Sequence, residues 1–460
     1  MTATPSALFG TDGVRGIPGT APLDERTLIG LGVAVVRTLG GPGGPGGHDA
    51  PVRVCLGRDT RESGPWVTAQ LVRGLVGAGA QVTDGGVLST PAVACATRDG
   101  GFDAGLVVSA SHNPFQDNGV KVFTRSSEKA DADVESRLAV CALGDAWSIP
   151  PPVETATEST SLAADYLVRV TRLFDGVSVP AGFRLALDCA NGATSALAPQ
   201  VCRDVGLDPT VLHDQPDGRN INLACGSTHP ESLARAVLEQ QCRLGAAFDG
   251  DGDRVVFVDH RGATVDGDAV LLIAARRLLA AGRLPRRGIV ATLMSNIGLG
   301  HALRADGIAM HRCAVGDRAV WSEMTRRGLG LGGEQSGHII VADHLPTGDG
   351  LATALLIMRA VIETGRELSE LAADLVASPQ VLVNVRVRER VPLDDLPAVS
   401  RLVREAERRL ADAGRVLVRY SGTEPLLRVM IEGPDQAAIQ GLADEIAGQV
   451  EADLGLSDPG

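Results

Sequence analysis

Lysine is almost absent from this chain of 460 residues: Lys121 and Lys129 are the only two, and arginine supplies the rest of its 43 basic side chains. A Walker-type phosphate loop requires Gly-Lys-Ser/Thr after a glycine-rich turn. Val122 follows Lys121 and Ala130 follows Lys129, so that mode of nucleotide binding is excluded. A Schiff-base enzyme would have only these two amines to use. Paired cysteine motifs are missing as well. The eight cysteines are scattered, with no C-x-x-C and no histidine at zinc-finger spacing, which excludes a metal knuckle and a disulfide scaffold and points to a reducing, cytoplasmic setting. The most apolar stretch, 270–281, is broken by Arg276 and Arg277, and MTATPSALFGTDGVRG lacks the pattern of an export signal, so neither secretion nor a membrane span is expected. Positive charge is in deficit too. Against 56 acidic residues the net charge is −13, which disfavours nucleic acid and anionic membranes as partners and leaves anion binding to local basic pockets.

What is present is an ordinary globular composition, 44% hydrophobic and 22% charged, long enough at roughly 100–200 residues per domain for about two to four domains. Helical spacing over 28–39, the strand-like VRVCLGRD, a helical pattern over 66–78 and the strands AQVTDGG and DAGLVVSAS set up a βα rhythm. A proline patch at 150–152 marks a boundary. FRLALDCANG and CRLGAAFDGDGDRVVFVD carry a second block, and IVATLMSN with GLGLGGEQSGHIIVAD a third. The alternating VLVNVRVRE, a charged helix, the hairpin RVLVRYSGTEPLLRVMIEG and a last helix form a fourth. The expected plan is an α/β domain over 1–150, a second over 151–262, a third over 263–377 and a smaller α+β domain over 378–460, the first three readable as remote copies of one unit.

Three motif matches fail on context. Gly41, Gly43 and Gly46 fit G-x-G-x-x-G but follow a helix, and Pro42 and Pro45 remove backbone donors; Gly328, Gly330 and Gly333 also follow a helical stretch. Asp249, Asp251 and Asp253 begin like an EF-hand, but its sixth and twelfth positions are Arg254 and His260.

Four segments retain chemistry. In DGDGDR at 249–254, three carboxylates on alternate residues can converge if the glycines let the backbone bend, and three aspartates suit a hard cation such as Mg²⁺ completed by a phosphate oxygen. In LVVSASHNPFQDNGVKVF, Ser111 follows a strand with His112 and Lys121 nearby as cationic partners, although the same residues also read as a capped turn. RYSGTEPLLR offers Arg419, Arg428, Ser421, Thr423 and free amides, a phosphate nest or a plain hairpin turn. GGEQSGH places Glu334, Ser336 and His338 on alternate residues, able to bond sugar hydroxyls, with His338 able to move a proton.

With LFGTDGVRG, GRDTRESG, DCANGA, PDGRNINLACGSTHP, ATLMSNIGL and TGDG, these segments span nearly the whole chain. In this order and spacing the chain closely resembles the α-D-phosphohexomutase superfamily, and within it the bacterial phosphoglucosamine mutases. The resemblance implies three related α/β domains and a smaller C-terminal α+β domain around a central cleft. It implies that Ser111 is the phosphorylated serine and, with Asp249, Asp251 and Asp253, surrounds Mg²⁺. By the same match Arg15, Lys121 and Arg254 lie near that phosphate, and Glu334, Ser336 and His338 belong to the sugar loop. Arg419, Ser421, Gly422, Thr423 and Arg428 match the loop for the non-reacting phosphate.

The implied reaction passes a phosphoryl group from Ser111 to a sugar phosphate, giving a 1,6-bisphosphate that turns over and returns its other phosphate, with a sugar 1,6-bisphosphate as primer. Turnover of the intermediate implies a fourth domain that moves. Ala110, Gln335 and the VGDR segment at 315–318 match the glucosamine branch, with Asp317 facing the amino sugar's charge. The expected reaction is interconversion of glucosamine 6-phosphate and glucosamine 1-phosphate, toward UDP-N-acetylglucosamine and the bacterial wall. The expected partner is a small hexosamine phosphate, and relatives are often homodimers. The competing readings are a phosphomannomutase/phosphoglucomutase and a sugar-phosphate sensor without turnover.

Overall fold

A computed structural model describes residues 8–10, 12–40, 51–152, 156–421 and 425–455. The glycine-rich 41–50 stretch, with Gly41, Gly43 and Gly46, lies outside them. The chain divides into two compact units, Met1–Met294 with Gly307–Ala373, and Ser295–Asp306 with Asp374–Gly460.

The first unit holds three sheets. The first comprises β1 (Val14–Gly16), β2 (Arg53–Arg58), β3 (Gln81–Val87), β4 (Ala104–Val108), β5 (Asn118–Thr124) and β6 (Thr157–Glu158), in the order β1-β5-β4-β2-β3-β6. The second comprises β7 (Leu185–Asp188), β8 (Pro209–Leu212), β9 (Leu244–Phe248), β10 (Val255–Asp259) and β11 (Thr264–Val265), in the order β11-β10-β9-β7-β8. The third comprises β12 (Gly288–Thr292), β13 (Ala309–Cys313), β14 (Leu331–Gly333) and β15 (Ile339–Val341), in the order β13-β12-β14-β15. One pattern recurs. In each sheet a strand sits between two parallel neighbours, and the strand that follows the second of those neighbours in sequence returns antiparallel to it: β4 with β5, β9 with β10, β14 with β15. The reading of the three α/β blocks as copies of one unit agrees with this shared topology.

The strands AGLVV, LGAAF and GIVAT are buried at every position, as expected where helices cover both faces of a mostly parallel sheet. Helices start where a side chain can satisfy orphan amides: Asp24 accepts from Thr27 N before Glu25–Leu39, and Asp266 from Asp268 N and Ala269 N before Gly267–Ala280. That second helix takes up the most apolar stretch. Among the described residues no helix is long and apolar enough to cross a membrane. Helix Asp317–Arg327 ends on Gly328 at φ 62°, so this glycine terminates a helix instead of opening a phosphate turn.

The proline patch at 150–152 does not end the first sheet. Beyond it, β6 pairs parallel with β3, Thr83 opposite Thr157, because Pro150 is pinned by Arg73, whose Nε donates to its carbonyl at 2.7 Å. A second departure from the expected boundaries involves helix Ile297–Ala305, which follows β12 in sequence but belongs to the second unit. Asn296 explains its place there, donating to Ser378 O at 3.0 Å and accepting from Ser378 N at 2.9 Å.

The second unit carries an antiparallel sheet of β16 (Gln380–Arg386), β17 (Arg415–Tyr420) and β18 (Leu426–Glu432), ordered β16-β18-β17. The period of two in β16 buries Val381 and Val385 on one face, against helices Pro397–Leu410 and Gln436–Leu454.

Candidate active site

The repeat places the chemistry. The Ser111 loop joins β4 to β5, the DGDGD loop joins β9 to β10, and GEQSGH joins β14 to β15, so each is the same turn of a copied unit. Within the first unit these turns meet. Ser111 Oγ donates to Asp249 Oδ2 at 2.5 Å across 138 residues of sequence.

Ser111 has φ 53°, left-handed backbone that a non-glycine residue adopts only under surrounding constraint. The constraint is visible. Arg61, fully buried with Asp59, donates from Nη2 to the carbonyls of Ser111 and Asn113 at 2.9 Å each, and from Nη1 to Asp117 O at 2.9 Å and to Pro114 O. Asn222 Nδ2 donates to the Ser111 carbonyl at 2.9 Å, and Ser109 Oγ accepts from Ser111 N at 2.8 Å. Gly250 lets the two loops touch: a Cβ there would lie 2.6 Å from Ser111 O.

Asp249, Asp251 and Asp253 are buried, each offering a carboxylate oxygen within 4.8 Å of the others. Gly252, at φ 73°, supplies the bend between them. Burial and the neighbouring Asp253 and Asp251 push the Asp249 carboxyl well above its usual range. Lys121 stands where a cation belongs, with Nζ 2.7 Å from Asp251 Oδ2 and 3.0 Å from Asp253 Oδ2. Burial works against the charges, yet Lys121 holds Asp253 well below the carboxylate range and is itself held charged by Asp12, Asp251 and Asp253. Asp251 Oδ1 and Asp253 Oδ1 remain buried without a hydrogen-bond partner. Clustered hard oxygens, two of them unsatisfied, are the donor set of a divalent cation.

Arg15 lies on β1, donating to Ala110 O at 3.2 Å and pairing with Asp12. Arg254 adjoins the aspartates, its N–H donating to Asp249 Oδ1 at 3.1 Å; burial opposes its charge, but Asp253, Asp249 and Glu334 maintain it. Glu334 is buried, accepting from Gly316 N at 2.9 Å, and the exposed Ser336 lies 3.5 Å from it.

Three expectations need correction. His112 is not a cationic partner: burial, then Arg254 and Arg15, push its imidazole down to about 4, so at neutral pH it is uncharged, with Nδ1 3.4 Å from Ser111 Oγ. His338 is not open for proton transfer to a sugar. Its ring is 2% exposed, Nε2 accepts from Gly348 N at 2.9 Å, and Nδ1 faces Asp253 Oδ1 at 3.7 Å, so it positions a carboxylate. Asp317 does not wait for an amino sugar's charge, because Lys129 pairs with it and also with Asp12 at 2.6 Å.

In the second unit, Arg419 and Arg428 lie directly opposite across β17 and β18. Like charges in that register are unfavourable, and burial and Arg428 together push the Arg419 guanidinium below its usual value. An anion bound there relieves this. Arg390 donates to Ser421 O at 2.7 Å, while Gly422 and Thr423 lie outside the described residues.

Sequence reasoning passed over Arg61, Asp12, Asn222 and Lys129. The first three lie within GRDTRESG, LFGTDGVRG and PDGRNINLACGSTHP, but their roles depend on contacts between loops far apart in sequence.

Comparison with known proteins agrees with this architecture. The phosphoglucomutase/phosphomannomutase family models match in order: alpha/beta/alpha domain I over residues 6–143, domain II over 164–262, domain III over 266–378 and the C-terminal domain over 382–449. A Burkholderia thailandensis protein of that family superimposes with a TM-score of 0.81 at 24% identity, covering 98% of this chain and all of that one. An Aspergillus fumigatus N-acetylphosphoglucosamine mutase, solved with GlcNAc-6P and magnesium, gives 0.66 at 17% identity over 97% of this chain and 95% of that one. The chain thus belongs to the phosphohexomutases, a class its repeated sheets and convergent loops define. Its relatives include the phosphoglucosamine mutases of Solibacter usitatus, 45% identical over 97% of this chain and 99% of the relative, and Moorella thermoacetica, 45% identical over 95% and 97%. Within the family it belongs with the phosphoglucosamine mutases.

Proposed function

We propose that this protein interconverts glucosamine 6-phosphate and glucosamine 1-phosphate through a phosphoserine at Ser111 and a 1,6-bisphosphate intermediate. The observation that carries the reading is the Ser111 hydroxyl, held by Arg61 and Asn222 against Asp249 of the buried aspartate cage. The charge balance supports it. Lys121, Lys129, Arg15 and Arg254 face six carboxylates, those of Asp12, Asp249, Asp251, Asp253, Asp317 and Glu334, so a phosphoryl group on Ser111 needs a further cation beside it. Asp249, Asp251, Asp253 and an oxygen of the phosphorylated Ser111 would hold Mg²⁺, which supplies positive charge against the transferring group.

The chain's own residues then divide the work. Arg15 and Arg254 flank the transferring oxygens, and Lys121, whose Nζ lies beside Asp251 and Asp253, is the residue able to exchange a proton with the sugar hydroxyl. Uncharged His112 orients Ser111. Glu334 and Ser336 accept sugar hydroxyls. Arg419, Ser421, Gly422, Thr423 and Arg428 hold the non-reacting phosphate, so either end of the bisphosphate can occupy one nest. A sugar 1,6-bisphosphate primes Ser111. A reducing cytoplasm suits the eight cysteines, all of which stand as free thiols.

The test compares kcat/KM on glucosamine 6-phosphate, glucose 6-phosphate and mannose 6-phosphate with Mg²⁺ and primer. Preference for the amino sugar, abolished in Ser111→Ala, is the expected result. Equal or better turnover of the neutral sugars would overturn the substrate assignment, and undiminished activity of Ser111→Ala the mechanism.

A further inference from the structure

A cavity of about 500 Å³ opens in the first unit between helix Ser161–Thr171 with its short extension Arg172–Phe174, the end of helix Gly267–Ala280, the segment after β15 and helix Gly350–Thr364. That volume lies within the roughly 300–1,000 Å³ typical of small-ligand sites. The lining combines two chemistries. Leu173, Leu278, Val341 and Leu356 give an aliphatic surface, while Arg169, Arg172, Arg277, Arg283 and Arg359 supply five guanidiniums. Three carboxylates offset them: Asp343 pairs with Arg283 at 3.1 Å, Asp99 with Arg169 at 2.8 Å, and Glu363 is shared by Arg277 and Arg359. Arg172 is exposed and makes no ion pair among the described residues. In a chain of net charge −13 this local cationic excess reverses the bulk composition.

We propose that this cavity is an effector site for a nucleoside phosphate, acting on the mutase centre of the function proposed above. Guanidinium forks match phosphate oxygens, and their planes stack on a flat base. An inorganic anion would leave the aliphatic wall uncovered, and an uncharged nucleoside would leave Arg172, which has no carboxylate partner among the described residues, without a counter-charge. The wall also leads to the aspartate cage. Arg169 donates to His344 O at 2.7 Å, and His344 Nε2 lies 2.7 Å from Asp349 Oδ2. One turn before Arg169, Tyr166 donates to Asp349 Oδ1 at 2.9 Å. On either side of Asp349, the Gly348 N–H is held by His338, and Gly350 N donates to Gly252 O, inside the DGDGD loop, at 3.0 Å. A ligand that draws Arg169 or its helix toward the cavity therefore pulls on the segment that backs the cage.

ADP serves as the probe, with adenosine and pyrophosphate as its two halves. Calorimetry on full-length Ser111→Ala without Mg²⁺, with glucose 1,6-bisphosphate present to occupy the mutase centre, reads ADP binding, and Arg172→Glu assigns that binding to the cavity whether or not the mutase reading holds. Saturable ADP binding is expected, about tenfold or more weaker for either half and lost when Arg172→Glu is added. In mutase assays with excess Mg²⁺, substrate and primer, ADP is expected to change kcat by about twofold or more, an effect absent from Arg172→Glu, whose basal kcat matches wild type. Absence of ADP binding, pyrophosphate or adenosine binding as tight as ADP, binding that survives Arg172→Glu, or a kcat indifferent to bound ADP would each overturn the proposal. Lack of any mutase activity, with ADP binding intact, would instead count against the function proposed above.

Discussion

Lys129 forms an ion pair with Asp317, the two side chains only 10% and 12% exposed, and shares its charge with Asp12. This joins the segment after β5 to the start of helix Asp317–Arg327, next to Gly316, whose amide holds Glu334. Burial opposes both charges, but each keeps the other ionised, Lys129 raised by Asp12 and Asp317, Asp317 lowered by Lys129. Removing one partner leaves the other charge buried, so Lys129→Met should cost on the order of 3 kcal/mol in urea unfolding. The double variant Lys129→Met/Asp317→Asn should recover much of it; a double variant no better than the single one would deny the coupling.

Arg61 makes a sharper case for geometry over charge. Lysine retains the charge but not the fork that reaches four carbonyls of the Ser111 loop. Arg61→Lys should lower kcat by about a hundredfold or more, since small displacements of a reacting group carry that cost. KM should change little, and kcat near wild type would remove Arg61 from the role.

The aspartate cage sets stability against activity. Asp249 carries the raised carboxyl, so Asp249→Asn relieves repulsion and should stabilise the metal-free protein by on the order of 1 kcal/mol, read as a higher Tm, while abolishing turnover. Mg²⁺ should raise the Tm of wild type and not of the variant. A chelator should silence wild type, with Mg²⁺ restoring it.

His213 links pH to stability in the second sheet. Its Nδ1 lies 3.0 Å from Asp188 Oδ1, and that contact, then the Asp188 charge, outweighs burial and raises the imidazole above 6.5. The protonated form is favoured in the folded state, so the stabilisation is complete below 6.5 and fades as pH rises through the folded value. His213→Gln should therefore destabilise more at pH 6 than at pH 8.5. An NMR titration of His213 with a midpoint below 6.5 would contradict it.

Ser111, the three aspartates, Glu334 and the paired arginines of the β17–β18 hairpin were legible in the sequence because each sits in a short segment whose residue types carry the chemistry. Glycines between carboxylates and a hydroxyl after a buried strand are local facts, as is the βα rhythm that yields the sheets. Charge state and contact order were not local. His112 reads as a cation until burial, with Arg254 and Arg15 beside it, disfavours the charge, and His338 as a proton carrier until Gly348 closes its lone pair. Asp317 reads as a sugar contact until Lys129 reaches it, and Arg61 as one arginine among many until the Ser111 loop closes around it. The sequence by itself determined the repeated βα units and the residues at their turns, since hydrophobic period and turn chemistry act over a few residues. Only the tertiary structure decided which charges cancel, which histidine is neutral and which arginine holds the serine, because electrostatic energy depends on distances that sequence separation does not reveal.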